Sequence, residues 1–247
     1  MKRYGLIGYP LGHSFSKKYF TQKFDNEGIT NCRYDLFPLL HGMEIQSFLK
    51  DNIQNLSGFN VTIPYKQTIF TFLNKISDEA KAIGAVNCVK IERDKTLTGY
   101  NTDAFGFEQS LTSFLPHTNF KALVFGTGGS SKAVTFILKK LKIDFTAVSR
   151  TKKKGCLTYE QLSPDLLSTH RLLINTTPLG MSPDEKSCPN LPYHCLTTEH
   201  FLYDLVYNPA ETLFLEQGRR RGSHTKNGLQ MLYQQAEKNW EIWNFEP

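Results

Sequence analysis

Phe120-Lys-Ala-Leu-Val-Phe-Gly-Thr-Gly-Gly-Ser-Ser-Lys-Ala-Val134 is the stretch that decides how this chain is read. Ala122 to Phe125 is a short apolar run that ends in Gly126, Thr127, Gly128, Gly129 and Ser130. Val134, Ile137, Leu138 and Leu141 then recur at helical spacing. The pattern is strand, glycine turn, helix. Glycines let the backbone turn sharply and approach a ligand, and the following helix aims free N–H groups and partial positive charge at the same place. A pyrophosphate is the expected occupant. A P-loop is excluded, because Lys132 stands between Ser131 and Ala133 rather than in Gly-Lys-Ser/Thr. The third glycine of the dinucleotide fingerprint is missing, so this stretch alone also fits an ordinary strand–helix turn.

The next strand adds to the argument. Asp144 to Ser149 reads as a strand, and Arg150, Thr151, Lys152, Lys153 and Lys154 follow it. Folds that bind NAD usually place an Asp or Glu at this strand end for the ribose 2′-hydroxyl. A basic end suits a 2′-phosphate and favours NADP, although the lysines also fit a solvated charge run.

The chain has 247 residues, enough for one large domain or two smaller ones. Hydrophobic residues make up 40% and charged residues 21%, as in ordinary globular proteins. The net charge of +6 fits phosphorylated or carboxylate ligands and does not require nucleic acid. Arg219-Arg220-Arg221 lacks interleaved aromatics and reads as an exposed helix end. Cys32, Cys88, Cys156, Cys188 and Cys195 are odd in number and scattered, with neither Cys-x-x-Cys nor His-Glu-x-x-His present. That argues against a disulfide framework or a metal site and for reduced thiols in a cytoplasm. The apolar run after Lys2 and Arg3 is cut short by Pro10 and His13, too early for a signal peptide. No run approaches membrane-spanning length.

Among the first hundred residues, Tyr4 to Gly8 reads as a strand, followed by a loop to Ser16 and a helix with Tyr19, Phe20 and Phe24 inward. Ser16 takes the N-cap position in this reading and Ser14 has no capping role. Two hydroxyls one residue apart at a strand end also suit a polyhydroxylated ligand. Cys32 to Phe37 and Gly58 to Thr62 read as strands, with a helix between them. A further helix, carrying Ile69, Phe70 and Leu73, is expected to start near Lys66. A helix N-terminus disfavours an ammonium there. Lys66 is then either a solvent-facing lysine or one suited to proton transfer. Ser77 opens another helix, and Gly84 to Val89 leads into a hairpin turning at Arg93-Asp94-Lys95. Its second arm ends in Asn101-Thr102-Asp103, where Asp103 is placed to cap a helix from Ala104 to Leu115. That helix bridges two α/β units, and clefts form where domains meet. Downstream, Leu172 to Thr176 and Phe201 to Tyr207 read as strands, Pro209 to Gln217 as a helix stopped by Gly218, and Leu229 to Trp243 as the final helix.

The polar strand ends, taken in order, resemble the shikimate dehydrogenase family. Ser14-Phe15-Ser16 is similar to its substrate-hydroxyl loop, and Asn60-Val61-Thr62-Ile63-Pro64-Tyr65-Lys66 to its lysine motif. Gly84-Ala85-Val86-Asn87 and Asn101-Thr102-Asp103 are similar to two further substrate motifs, and Ser149-Arg150-Thr151 to an Asn-Arg-Thr phosphate clasp. Asn175-Thr176-Thr177-Pro178-Leu179-Gly180-Met181, then Gly228 with Met231-Leu232-Tyr233-Gln234-Gln235-Ala236, complete the set. Departures are Lys17 to Phe20 in place of the usual Pro and His, Thr127 and Ser130 in place of alanines, and Ser149 in place of Asn. The chain is short for that family, with no tail expected beyond the last helix.

The resemblance implies an N-terminal α/β substrate domain over 1–103, rejoined by the last helix at 228–247, and a Rossmann-type, doubly wound NADP domain over 104–227. It implies reversible reduction of 3-dehydroshikimate to shikimate, a step of chorismate and aromatic amino-acid biosynthesis. Lys66 and Asp103 would act together on the proton. Ser14, Ser16, Thr62, Asn87, Tyr207 and Gln235 would hold the substrate. Gly126, Thr127, Gly128, Gly129, Ser130, Ser149, Arg150, Thr151, Thr176, Thr177, Pro178, Gly228 and Met231 would hold NADP. No metal is needed, because the hydride comes from the cofactor. A cytoplasmic monomer or homodimer with small-molecule partners is expected, with neither nucleic acid nor membrane among them. A dehydrogenase of broader quinate/shikimate specificity and a non-catalytic, NADP-sensing relative are the rival readings.

Overall fold

Two six-stranded sheets, each with its own core, account for the chain. The computed structural model describes residues 1–12 and 14–245; His13, read above as part of the first loop, lies outside the described residues. The chain divides into two compact units, Met1–Thr102 with Gln235–Pro247, and Asp103–Gln234. The first contains β1 (Lys2–Gly8), α1 (Phe15–Asn26), β2 (Cys32–Pro38), α2 (Glu44–Asn52), β3 (Gly58–Val61), β4 (Lys75–Ile76), α3 (Asp78–Ile83), β5 (Cys88–Ile91) and β6 (Leu97–Tyr100). α4 (Thr102–Phe114) leads into the second, with β7 (Lys121–Phe125), α5 (Gly129–Lys140), β8 (Asp144–Ser149), β9 (Cys156–Thr158), α6 (Pro164–Thr169), β10 (Leu172–Asn175), β11 (Phe201–Asp204), α7 (Leu213–Arg220) and β12 (His224–Lys226). The last helix, α8 (Leu229–Asn244), starts in the second unit and ends in the first.

The first sheet runs β2-β1-β3-β5-β6-β4. β1 pairs in parallel with β2 and β3, while β5 is antiparallel to both β3 and β6. The β5–β6 hairpin turns where Lys95 adopts φ 67°, and the Asp94 carboxylate accepts the Thr96 N–H at 2.9 Å. On one face, Phe20 of α1 stacks on Tyr34 of β2 with centroids 4.8 Å apart, and Trp243 of α8 packs against both. Gly58 makes room for this packing: a Cβ there would lie 2.4 Å from the Trp243 indole.

The second sheet runs β12-β11-β10-β7-β8-β9, parallel throughout. The apolar residues of its central strands are fully buried, as expected for a parallel sheet covered on both faces. The chain runs outward from β7 through β8 to β9, then returns to β10 and runs the other way. The strand order therefore switches between β7 and β10, the place where open α/β sheets bind ligands. A mixed α/β unit followed by a doubly wound, Rossmann-type unit is the fold class expected from the sequence.

Several local expectations are corrected. α1 starts at Phe15, so Ser14 is its N-cap: its backbone is extended and its hydroxyl accepts the Lys17 N–H at 3.4 Å. Ser16 lies inside the first turn. The segment after Lys66 forms a five-residue 3₁₀ turn, Thr68–Phe72, instead of an α-helix. So short a turn lacks the aligned peptide dipoles on which the argument about Lys66 relied. α4 begins at Thr102, which places Asp103 in its first turn instead of at its cap. α7 begins after Thr212, whose hydroxyl accepts the Leu215 N–H at 3.4 Å, and Gly218 lies inside it. Gly218 is a packing residue, because a Cβ there would come within 2.4 Å of Leu202. Among the described residues, no helix is long and apolar enough to cross a membrane.

Candidate active site

In the first unit, the segment Ala85-Val86-Asn87 is a hub. Its Val86 N–H donates to the Lys66 carbonyl at 2.8 Å, and its Ala85 carbonyl accepts Asn101 Nδ2 at 2.9 Å. The Asn87 carbonyl accepts the Val61 N–H at 2.9 Å and Asn60 Nδ2 at 3.0 Å. Asn87 Oδ1 accepts the Thr102 N–H at 2.7 Å, at the first residue of α4. One buried asparagine thus ties together the end of β3 and the start of α4, while its neighbour Val86 pins the backbone of Lys66. Asp103 is bonded covalently to Thr102. At the end of β1, the Thr62 N–H donates to the Ile7 carbonyl at 2.9 Å, and a Cβ on Gly8 would lie 2.3 Å from the Thr62 methyl. The β1 and β3 ends, which carry Ser14, Ser16 and Thr62, are closely packed for that reason.

Buried side chains extend from the hub in two directions. Asn60 Oδ1 accepts the Tyr34 hydroxyl at 2.8 Å. Burial holds the Tyr34 phenol well above its ordinary range, so it stays protonated. On the other side, Thr102 Oγ1 donates to Asn239 Oδ1 at 2.7 Å, and Asn239 Nδ2 donates to Gln235 Oε1 at 3.0 Å. Asn87 and Gln235, two of the residues proposed from the sequence, are joined by this network. Of its intermediates, Asn60 and Thr102 lay within quoted motifs without a role of their own, and Tyr34 and Asn239 were not singled out from the sequence.

In the second unit, the glycine turn sits at the carboxyl end of β7, beside the end of β10. Gly126 has φ +107°, which other residues adopt only with strain, and a Cβ there would lie 2.6 Å from Thr176 Oγ1. Thr176 is fixed by its N–H and hydroxyl, which both donate to the Phe125 carbonyl, at 2.9 and 2.7 Å. Gly128 and Gly129 differ: a Cβ on either would meet nothing within 4 Å. α5 starts there with no side chain capping its first turn. Open space beside uncapped N–H groups suits a pyrophosphate. At the end of β8, Ser149 is buried while Arg150 and Thr151 are exposed. Lys153 Nζ donates to Thr127 Oγ1 at 2.7 Å, so the basic run reaches the glycine turn. No Asp or Glu occurs between Asp144 and Glu160. These features fit a dinucleotide with a 2′-phosphate.

The loop after β10 is organised by Asn175 and Asp204. Asn175 Oδ1 accepts the Thr177 N–H at 3.0 Å and its hydroxyl at 2.6 Å, while Asn175 Nδ2 donates to Asp204 Oδ1 at 2.9 Å. Asp204 also accepts the Val206 N–H at 2.9 Å and the Thr212 hydroxyl at 2.6 Å. Burial pushes the Asp204 carboxyl up to about 6, against the three hydrogen bonds that oppose the shift. The folded value thus lies above the ordinary carboxylate value of 3.8. The stability linked to its proton is fully present below the unfolded value and is lost as pH rises through about 6. At 1.36 kcal/mol per pH unit, the change is about 3 kcal/mol. Between pH 4 and pH 7, wild-type protein should therefore lose about 2 kcal/mol of stability relative to Asp204→Asn, the rest lying below pH 4, measured by urea unfolding across pH. Parallel pH profiles would rule this out.

Ser14, Ser16, Thr62, Lys66, Asn87 and Gln235 all belong to the first unit. Tyr207, Asp103 and the residues proposed for the cofactor belong to the second. Tyr207 follows β11 and is half-buried, and burial raises its phenol. Gly228 is needed for close approach, since a Cβ there would lie 2.1 Å from the Leu205 carbonyl oxygen; Met231 is buried one turn along α8. Asp204 had a signal in the sequence, as a lone acid inside the apolar run Phe201-Leu-Tyr-Asp-Leu-Val206. Lys153 had none beyond the basic run. Among the described residues, no group of three or more His, Cys, Asp or Glu gathers to hold a metal ion.

Comparison with known proteins bears on both units. The family model for the shikimate dehydrogenase substrate-binding domain matches residues 6–89. The NADP(+) shikimate dehydrogenase of Methanococcus vannielii is 38% identical, over 98% of this chain and 92% of that protein. The Thermus thermophilus shikimate 5-dehydrogenase, solved with NADP(H) and shikimate, superposes with a TM-score of 0.86 at 28% identity, covering 99% of this chain and 94% of that one. A Corynebacterium glutamicum quinate dehydrogenase, solved with NAD, superposes with a TM-score of 0.88 at 25% identity, covering 98% and 93%. On its own sequence, over nearly its whole length, this chain belongs to the shikimate dehydrogenase family.

Proposed function

We propose that the protein is an NADP-dependent oxidoreductase that reversibly reduces 3-dehydroshikimate to shikimate, in chorismate and aromatic amino-acid biosynthesis. The observation that carries the reading is the hub at Ala85-Val86-Asn87, which anchors the backbone of Lys66 and, through Thr102, the start of the helix that carries Asp103. Substrate belongs to the first unit, with Ser14, Ser16, Thr62, Asn87 and Gln235 supplying hydroxyl and amide contacts and Tyr207 contributing from the second. The cofactor belongs to the glycine turn, with Arg150 and Thr151 on the 2′-phosphate, Ser149 at the strand end, and Thr176, Thr177, Pro178, Gly228 and Met231 lining its path. NADPH, when bound, supplies the hydride for the ring ketone. Lys66 and Asp103 hold and deliver the proton that the carbonyl oxygen takes up. The reading assigns the protein to the cytoplasm, as a monomer or a homodimer. Five free cysteines suit a reducing compartment.

An NADP-linked assay of purified protein on shikimate and quinate, side by side, tests this. Shikimate should be turned over with the higher kcat/KM. Quinate carries one more hydroxyl near its carboxylate, and a site built around small serines would leave that group buried and unpaired. The quinate dehydrogenase likeness makes the second substrate the rival to measure. Equal efficiency on quinate would overturn the preference, and no turnover on either would leave a non-catalytic NADP-binding protein.

A further inference from the structure

Arg3 and Arg33 stand side by side at the amino ends of β1 and β2, as register partners of a parallel pair. Neighbouring like charges on paired strands repel each other. Here both share one carboxylate oxygen: Asp35 Oδ2 lies 2.6 Å from Arg3 Nε and 3.3 Å from Arg33 Nε. Lys17 Nζ comes within 4.0 Å of the other oxygen, so three cations face a single acid. Arg3 is the best held of them. Its guanidinium lies over the Phe37 ring at 5.0 Å, and one Nη1 proton goes to Asn52 Oδ1 at 3.4 Å. Gly5 makes room for that ring, because a Cβ there would come within 2.4 Å of Phe37. The remaining guanidinium N–H groups of Arg3 have no acceptor among the described residues.

Arg3 and Arg33 border a cavity of about 550 Å³, whose wall also carries Lys2, Lys95, Gln54 and Ser57. Among the described residues, no acid lines it. Lys95 Nζ donates to the Gln54 carbonyl at 3.0 Å, which ties the β5–β6 hairpin to this wall. The volume is that of a small-molecule site. Positive charge gathered in a concave wall concentrates anions, and a guanidinium fixed on one side offers its free N–H groups to a phosphate or carboxylate. A phosphate ester carries two charges on one head, and so matches two arginines and a lysine better than a carboxylate does. Gly8, at the end of β1 beside Thr62, is five residues beyond Arg3, about 17 Å along the strand. We propose that this cavity is a binding site for a small phosphate ester, with Arg3, Arg33 and Lys95 holding the phosphate.

The test is calorimetric titration of the whole chain with ribose 5-phosphate, inorganic phosphate and malonate. The protein is kept saturated with NADP, so that the glycine turn of the other unit does not take the phosphate, and ionic strength is held constant with chloride. Ribose 5-phosphate should bind saturably and raise the thermal unfolding temperature. Arg33→Gln and Lys95→Gln should each weaken it about 10-fold, and Arg3→Gln should abolish binding. Should Arg3→Gln fail to fold, the double variant Arg33→Gln/Lys95→Gln carries the same expectation, with an unchanged circular dichroism spectrum as the check on its fold. Inorganic phosphate bound as tightly, and lost in the same variants, would support the site with free phosphate as its ligand. Malonate bound as tightly as ribose 5-phosphate would overturn the phosphate assignment. No saturable binding of either phosphate, or binding that the variants leave untouched, would overturn the site itself.

Discussion

Lys66→Ala should lower turnover by about 10²–10⁴ while leaving the shikimate KM close to that of the wild type. That is the usual cost of removing a positioned proton-transfer group whose interaction forms only in the transition state. The backbone at Lys66 is held by the Val86 N–H, and truncating the side chain does not touch that bond. The fold should therefore survive, which thermal unfolding of the variant would check. Asp103→Asn should have a similar cost, because the amide keeps the shape but not the charge. If the two residues act as one unit, the double variant should lose far less than the product of the single losses. Intact turnover in Lys66→Ala, or a rise in KM alone, would reassign Lys66 to binding.

Arg150→Ala should weaken NADP by about 10- to 100-fold and leave NAD almost unchanged. Charge-assisted hydrogen bonds to a phosphate contribute about 1.5–3 kcal/mol. Arg150 stands exposed at the end of β8, with no acidic neighbour in its loop to compete for it. In the unaltered protein, kcat/KM with NADP should exceed that with NAD, and titrations followed by NADPH and NADH fluorescence would give the affinities of the reduced cofactors directly. Equal weakening of both cofactors would mean that Arg150 contacts the part they share. A wild-type preference for NAD would remove the assignment altogether.

The second unit was the more legible half in the sequence. β7 and β10 are buried on both faces and read as apolar runs, and Asp144–Ser149 was bounded correctly to the residue. The short edge strands β4, β9 and β12 left no such signature, because two or three residues cannot show a period. Capping was misread where two candidates lay close together. Ser14 and Ser16 are separated by a single residue, and only the path of the β1 loop decides which hydroxyl meets the Lys17 N–H. Glycine was misread at Gly218, where the demand is space for Leu202 and not a helix stop. In the candidate site, the polar residues at strand ends were legible because polarity there has no packing reason. Asn239 was not, since an asparagine within an amphipathic helix resembles a solvent-facing residue until Thr102 is brought beside it from 137 positions away.

The first unit is not contiguous in the chain. Its core includes Trp240 and Trp243, and Gly58 is shaped to admit the second of these. A ribosome delivers these tryptophans more than a hundred residues after β6. Domains usually fold in the order in which they emerge. Here the opening hundred residues stay without part of their core throughout synthesis of the second unit, at ~5–20 residues per second. The unit that starts later is thus the first that can be completed, and the earlier one waits, with apolar surface uncovered, for α8. Stop codons placed before Gln235 should therefore yield chains that depend on chaperones, even though every strand of both sheets has been made.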